Sequence, residues 1–379
     1  MYIYQRTSWP TFIWDDKKLL VPLSGVRNLQ GKLLGKMETL GFSLKDEAFL
    51  ETLTVDVVKS NEIEGEHLDV DQVRSSIARR LGMDIPGLIP ASKNVEGVVE
   101  MMLDATQKYY QDLTTNRLFG WHSALFPTGR SGMRKIRVAK WRDDTDGPMK
   151  VVSGPMGMER VHFEAPPAKL IEFEVNRFLV WFNMDAKNSN KHEIIEPVIK
   201  SGLAHLWFVT IHPFDDGNGR IARAIADMQL SKAERIHQRF YSMSAQIERQ
   251  KSEYYDILEQ SQKGSLDVTE WLEWYLACMS NAIESSEEIL SKVLLKAKFW
   301  KDYASTIINK RQQMMINKLL DNFFGKLNTS KWAKIAKCSQ DTALRDIQDL
   351  MSKGILLKEA GGGRSTSYRI NIRDLDKNR

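Results

Sequence analysis

The sequence predicts a mainly α protein with one β-hairpin in its middle and a small mixed α+β module at its C-terminal end. Three observations carry this. Apolar residues recur at spacings of three and four along most of the first 300 positions, the period of a helical face. That period is lost once, between Arg134 and Pro167. Residues 311–379 then read as three helices followed by two short strands around a glycine-rich turn. At 379 residues the chain is longer than one core comfortably serves, about 250–300 residues, so two or three domains are expected. The breaks in the pattern divide it into residues 1–93, 94–300 and 301–379.

At the N-terminus, Trp9-Pro10-Thr11-Phe12-Ile13-Trp14 is too aromatic for a solvated tail, so its rings are expected to pack against the helices that follow. Val26, Leu29, Leu33, Met37 and Leu40 predict a first helix. A second begins at the capping pair Ser43 and Asp46, runs through Leu50, Leu53 and Val57, and stops at Gly65. Arg80 to Asn94, with Gly82, Pro86, Gly87 and Pro90, reads as a connection, and helix resumes at Val95. Val151-Val152, the turn-rich residues 153–157 and Val161-His162-Phe163 form the hairpin. Helices are expected at Ala168 to Asn183, Glu193 to Thr210, Ile221 to Lys232 and Gln246 to Glu287. In the tail, helices near Met314 to Phe324, Ser330 to Lys337 and Ser339 to Lys353 precede Ile355-Leu356-Leu357, the turn Gly361-Gly362-Gly363 and Ser367-Tyr368-Arg369-Ile370, the order of a winged helix.

Composition narrows the class. Two cysteines, Cys278 and Cys338, cannot form a disulfide framework or a cysteine-rich metal site, and a reducing cytoplasm suits them. No window approaches the 18 or so apolar residues of a membrane span, and the start of the chain lacks the pattern of a signal peptide, so no membrane partner is expected. The net charge of +5 conceals an asymmetry: residues 311–379 hold 14 Lys+Arg against 7 Asp+Glu, a balance of +7, which leaves −2 for residues 1–310.

The chemistry concentrates in His212-Pro213-Phe214-Asp215-Asp216-Gly217-Asn218-Gly219-Arg220-Ile221-Ala222-Arg223. A buried helix (Leu203, Leu206, Trp207, Phe208) delivers an imidazole, then a glycine-rich turn, then the start of another helix. Such a turn suits a polyphosphate, because glycines let backbone N–H groups converge and the next helix offers unpaired donors and a positive dipole end. Asp216 can hold Mg²⁺, Asn218 can hydrogen-bond a phosphate, and Arg220 and Arg223 share a helical face that can clamp one anion. His212, with an ordinary pKa near 6.5, can act as a general base.

At these residues the chain resembles the Fic family, whose signature H-x-F-x-[DE]-G-N-G-R-x-x-R is matched at every fixed position. The resemblance implies a Fic helical core with the hairpin as its flap, and Mg-ATP-dependent transfer of AMP to a Ser, Thr or Tyr hydroxyl of a protein, this one included. It implies that His212 is the base, that Phe214 anchors the loop, and that Asp216 binds Mg²⁺. Gly217, Asn218, Gly219, Arg220, Ile221, Ala222 and Arg223 would hold the phosphates. Tyr254 would line the adenine pocket, the alternative being a core residue. Relatives that phosphorylate their targets carry Lys where this chain has Gly219, so the glycine favours AMP transfer. The hairpin at 151–163 would take a target segment as an added strand.

Upstream, Ser60-Asn61-Glu62-Ile63-Glu64-Gly65 matches the family's inhibitory motif [ST]-x-x-x-E-[GN]. Ser60 and Glu64 share a helical face, so the hydroxyl can steady the carboxylate. The resemblance implies that Glu64 forms a bidentate pair with Arg223 and withholds it from the γ-phosphate. In some inhibited relatives the same glutamate positions a water that removes AMP, so deAMPylation is an alternative direction. The N-terminal segment is also similar to the N-terminal domain of Fic proteins that carry this motif.

The basic tail supports a rival reading, a DNA-binding regulator acting through residues 311–379. Against it, the helix expected to read DNA carries Asp341, Asp346 and Asp349 with Arg345 alone, an acidic face. Lys331, Lys334 and Lys337 sit on the preceding helix, and a protein-docking or dimerisation role, with a possible homodimer, is favoured instead. His67, His122, His162, His192, His205 and His237 lack metal-ligand spacing, and His205 is expected to be a packing residue.

Overall fold

A computed structural model describes the chain except residues 86, 146, 155–157, 159, 185–194, 322, 324, 360–365 and 372–379; for residues 42 and 43 it describes the backbone only. The described residues form two compact units, Met1–Gly82 with Ile89–Glu287, and Met83–Leu88 with Glu288–Arg379. The expected boundary at residue 93 therefore does not separate compact units: the first 82 residues belong with the core, and part of the expected connection belongs to the second unit.

The first unit begins with α1 (Asp16–Glu38), α2 (Phe42–Ile63) and α3 (Val70–Arg80). α1 starts ten residues before the apolar pattern suggests, because the Asp15 side chain accepts from the amides of Lys17 and Lys18 and caps it there. α2 starts from Gly41, not from a Ser43 cap, and ends as expected before Gly65, whose φ of +79° closes it. α3, capped by Asp69 on the Gln72 amide, was not expected from sequence: it has only eleven residues and its buried side includes Ser75 and Ser76. The aromatic start packs as anticipated, with Trp9 and Phe12 edge-on to Trp207 and the Trp9 indole donating to Glu174 at 2.9 Å.

α4 (Lys93–Gln107) and α5 (Thr115–Leu125) cross so tightly that a Cβ on Gly97 would lie 1.8 Å from the Ala124 carbonyl oxygen. Two small antiparallel pairs follow: β1 (Arg130–Ser131) with β2 (Arg134–Lys135), which the sequence did not reveal, and the expected hairpin, β3 (Lys150–Ser153) with β4 (Arg160–Glu164). Its turn residues 155–157 lie outside the described residues. β4 is tied to the body of the unit through Glu259, which binds His162 Nδ1 at 2.5 Å and Arg160 at 3.2 Å.

Beyond α6 (Ile171–Asn183) come the two central helices, α7 (Pro197–Ile211) and α8 (Asn218–Glu234). From Leu203 to Ile211 α7 is buried throughout, with only His205 and Thr210 polar, the mark of a helix surrounded by others. α8 packs along it, and α2 borders α8 as well as α9 (Met243–Arg249). The expected single helix from Gln246 to Glu287 is three: α9, α10 (Lys251–Lys263) and α11 (Thr269–Asp302), interrupted at Gln250 and by the Gly264–Val268 turn.

The second unit contains α12 (Lys310–Leu320), α13 (Thr329–Ile335), α14 (Gln340–Ser352) and the antiparallel pair β5 (Leu356–Lys358) and β6 (Tyr368–Ile370). The three-helix, two-strand order is the expected one, and the Gly361–Gly363 turn is outside the described residues. Its core gathers Trp332, Met315, Ile316, Ile347, Leu350 and Ile355. The acidic face expected on α14 is not all exposed. Asp346 is buried and binds Arg311, and Asp349 accepts from Gln312 at 2.7 Å, so these acids serve packing within the unit. Cys278 and Cys338 are free thiols. Among the described residues no helix is long and apolar enough to cross a membrane.

Candidate active site

α7 ends in a sharp reversal. His212 is its C-cap in the left-handed region, φ 51° and ψ 58°, and its amide still donates to Phe208. The imidazole Nδ1 lies 3.3 Å from the Val209 carbonyl, which fixes Nδ1 as the protonated nitrogen and leaves Nε2 as the basic one. Burial, and then the positive charge of Arg142, push its pKa down to about 4. The imidazole is therefore neutral at pH 7, where an unperturbed one would be partly charged.

The loop after His212 is braced from three directions. Arg142, itself buried, donates from Nε to the His212 carbonyl at 2.7 Å and from Nη2 to the Pro166 carbonyl at 2.6 Å. Asp215 accepts the Arg137 amide at 2.9 Å. Phe214 is fully buried, as expected, and stacks on His122 with ring centroids 4.2 Å apart. The His122 Nδ1 accepts the Ala139 amide at 3.2 Å, so its Nε2–H is the group that donates to the Asp216 carbonyl, also at 3.2 Å. Burial holds His122 neutral, with a pKa near 4.

Asn218 departs from its expected role. Its side-chain oxygen accepts the Phe214 amide at 3.0 Å and its nitrogen donates to the Phe214 carbonyl at 2.8 Å, so the side chain closes the loop and does not project toward a phosphate. Gly217 has φ +82°, and a Cβ there would lie 2.9 Å from the Phe126 ring, which leaves glycine as the residue that fits. Ile221 already donates its amide to the Gly217 carbonyl at 3.0 Å and Ala222 lies deeper in α8, with both side chains buried. The donors a helix start leaves for an anion are the amides of Asn218, Gly219 and Arg220.

Both motif arginines are buried. Arg223 donates from Nε to the Ser60 hydroxyl at 3.0 Å, and from Nη2 to the Ser60 carbonyl and to Glu64 Oε1, each at 2.8 Å. The Glu64 contact is thus a single hydrogen bond instead of a bidentate pair, and Ser60 holds the guanidinium, not the carboxylate. Glu64 also lies on the helix start: a Cβ at Gly219 would sit 2.3 Å from its Oε1. Its carboxylate occupies the place where α8 would receive an anion. Arg220 is engaged by an acid the sequence did not single out, Glu66, at 2.7 Å, and its guanidinium stands over the Phe126 ring at 5.0 Å. Among the described residues Arg223 Nη1 and Arg220 Nε have no hydrogen-bond partner although both are buried, a costly state that an added anion would relieve.

Asp216 is about two-fifths exposed; one of its oxygens accepts the Ser131 hydroxyl and the other the Gly217 amide. A hard carboxylate oxygen at the rim of an anion site suits Mg²⁺, which binds through one or two carboxylates plus phosphate oxygens, so this donor set fits the metal. Tyr254 is buried: its hydroxyl bonds His205 Nε2 at 2.9 Å within a cluster that includes Trp274, and it lies beside Arg223. His205 is the satisfied packing histidine expected.

Residues 112–230 match the Fic/DOC family. This stretch of the chain is a Fic/DOC family domain. The Fic match starts just before α5 and ends within α8, so it contains His122, Arg142, the flap and the whole motif. Residues 2–83 match a separate family described as a domain of unknown function, DUF4172. Among curated proteins, the chain is 25% identical over 227 residues to a protein adenylyltransferase Fic of Drosophila mojavensis, covering 59% of this chain and 39% of that one. It is 30% identical over 121 residues to a protein of the same name from Nematostella vectensis, 32% of this chain and 25% of that one. The chain therefore spans less than half the length of these relatives. A solved Fic family protein from Desulfovibrio desulfuricans G20 shares the fold over 98% of both chains, with a TM-score of 0.52 and 18% identity.

Sequence reasoning missed Glu66, His122 and Arg142. Glu66 was in reach, since a second buried arginine beside the first needs a second acid. His122 and Arg142 left no local signal, because they meet the Fic loop from 70 or more positions away.

Proposed function

We propose that this Fic protein transfers AMP from ATP to a Ser, Thr or Tyr hydroxyl of a protein, and that its own α2 holds the reaction in check. The observation that supports this best is the seat of Glu64: a carboxylate of the same chain rests on the start of α8 and on Arg223, where a nucleotide's phosphates would bind.

In this reading the amides at 218–220 and the two arginines receive the β- and γ-phosphates once the acids withdraw. Mg²⁺, held through Asp216, would neutralise phosphate charge. His212, with Nδ1–H fixed on the Val209 carbonyl, takes the acceptor hydroxyl's proton on Nε2. The hydroxyl oxygen bonds the α-phosphorus, the bond from that phosphorus to the bridging α–β oxygen breaks, and pyrophosphate leaves. Asn218, Phe214, His122 and Arg142 do not touch the reactants and keep the loop in place. The sequence modules are assigned as an inhibitory N-terminal helical part, a Fic core and a C-terminal module at 301–379.

The test compares ATP labelled at the α-phosphate with ATP labelled at the γ-phosphate, in wild type, Glu64→Gly and His212→Ala. Protein-bound α-label that increases in Glu64→Gly and disappears in His212→Ala is expected. Transfer of γ-label alone would make the protein a kinase and sink the reading.

A further inference from the structure

Across the Fic loop from α2, a cavity of about 620 Å³ opens between β2 and the flap. Asp215, three residues beyond His212, forms part of its wall, whereas none of residues 217–223 does. Its rim is basic. Arg134, Lys135, Arg137 and Lys150 line it, against the carboxylates of Asp143 and Asp215. Asp143 is in an ion pair with Arg137, and Asp215 accepts the Arg137 amide and keeps its charge, so the lining cations outnumber the carboxylates four to two. Lys150 has only a loose approach to Glu164, at 3.8 Å. Arg134 and Lys135 are exposed, and among the described residues neither has a carboxylate partner. On the flap wall, Val152 and Val161 stand 47% and 39% exposed. β4 is fastened to Glu259, and among the described residues β3, carrying Lys150 and Val152, pairs with β4 alone, so its other edge is unpaired.

We propose that this cavity docks an acidic, extended segment of the protein that carries the acceptor hydroxyl. The inference rests on the transfer reading and adds to it the chemical class of the target. Uncompensated cations beside two half-exposed valines favour a chain of alternating acidic and apolar side chains lying along β3. A nucleotide is the less suitable occupant, since the helix-start amides and the buried arginines that suit phosphates belong to the other side of the loop.

The test reads binding separately from transfer. Short fluorescein-labelled peptides with one serine flanked by glutamates, glutamines or lysines are titrated into the full chain and followed by anisotropy. The glutamate peptide is expected to bind at least about ten-fold more tightly than the glutamine peptide, with the difference shrinking as salt is added. The double variant Arg134→Glu with Lys135→Glu should lose that preference, and the milder Arg134→Gln with Lys135→Gln should reduce it, while ATP affinity stays that of wild type. Equal binding of the three peptides overturns the proposal. So does unchanged glutamate-peptide binding in the double variant, which would place the peptide elsewhere, for instance on the basic residues 311–379. A parallel loss of ATP affinity in the double variant would overturn it in favour of a nucleotide. Loss of α-label transfer in wild type and Glu64→Gly, with peptide binding intact, would sink the transfer reading alone.

Discussion

The Fic loop has two sides, and they differ in how their cations are paired. On the α2 side each buried arginine is met by an acid of the same chain, Arg223 by Glu64 and Arg220 by Glu66, both at 2.7 to 2.8 Å. On the flap side Arg134 and Lys135 line an open cavity, and among the described residues neither has an acid of its own. The buried cations could not be left bare, because an unpaired buried charge costs several kcal/mol, whereas exposed ones can stay hydrated until a partner arrives. The chain thus supplies its own anions at the start of α8 and leaves the other side open.

The strongest way to break this contrast is to empty the α2 side. Glu64→Gly removes the carboxylate from the start of α8, and the rate of α-label incorporation is expected to rise about 10- to 100-fold, the scale on which misplaced reactants slow a reaction. A rate equal to wild type in a labelling time course would show that Glu64 is only a helix-end residue.

Next in size is the loop between the two sides. Asn218→Ala leaves the amide and carbonyl of buried Phe214 without partners, and a loss of about 1–3 kcal/mol of stability is expected in thermal or denaturant unfolding. If the variant instead unfolds like wild type and loses only ATP affinity, the asparagine serves phosphate after all.

A smaller effect is expected from Glu66. Its side chain is 43% exposed, so solvent screens its pull on Arg220. Glu66→Gln placed on Glu64→Gly should lower the KM for ATP by about two- to five-fold, since Arg220 is then free for phosphate. An unchanged KM would mean that Arg220 exchanges Glu66 for phosphate without cost, and that the α2 side has one inhibitory acid, not two.

The two sides also differ in how far the sequence discloses them. His212, Gly217, Arg220 and Arg223 are readable because a loop that joins two helices around an anion must space its residues along the chain. Ser60 and Glu64 are readable for the same reason, at one helical turn. Their partners were not: whether Ser60 holds Glu64 or Arg223 depends on how α2 lies on α8, a distance of some 160 positions in the chain, and whether Asn218 faces phosphate or Phe214 depends on how the loop closes on itself. The long helices were legible from their period, while α3 and the β1–β2 pair, too short and too polar for a period to show, were not. Tyr254 illustrates the same limit, since a tyrosine at helical spacing reads alike whether it lines a pocket or bonds a buried histidine.

The finest comparison of the two sides is the pull each exerts on one imidazole. Arg142, which ties the flap-side segment to the loop, lowers the pKa of His212, and Glu64, from the α2 side, raises it; burial with Arg142 prevails, at about 4. A base must be unprotonated, so activity should be nearly flat from pH 8 down to about pH 5 and fall only as pH approaches 4, well below the 6.5 of an ordinary histidine. Stability follows the same sign: a pKa depressed on folding means that the unfolded chain binds the proton more readily, so this group's contribution is fully present above 6.5 and is lost as pH falls toward 4. Glu64→Gly deletes the one pull that comes from α2, and its acid limb should therefore not move upward. A kcat/KM profile of that variant with its limb near 6.5 would show that His212 is neither desolvated nor governed by Arg142, and that the flap side has no hold on the base.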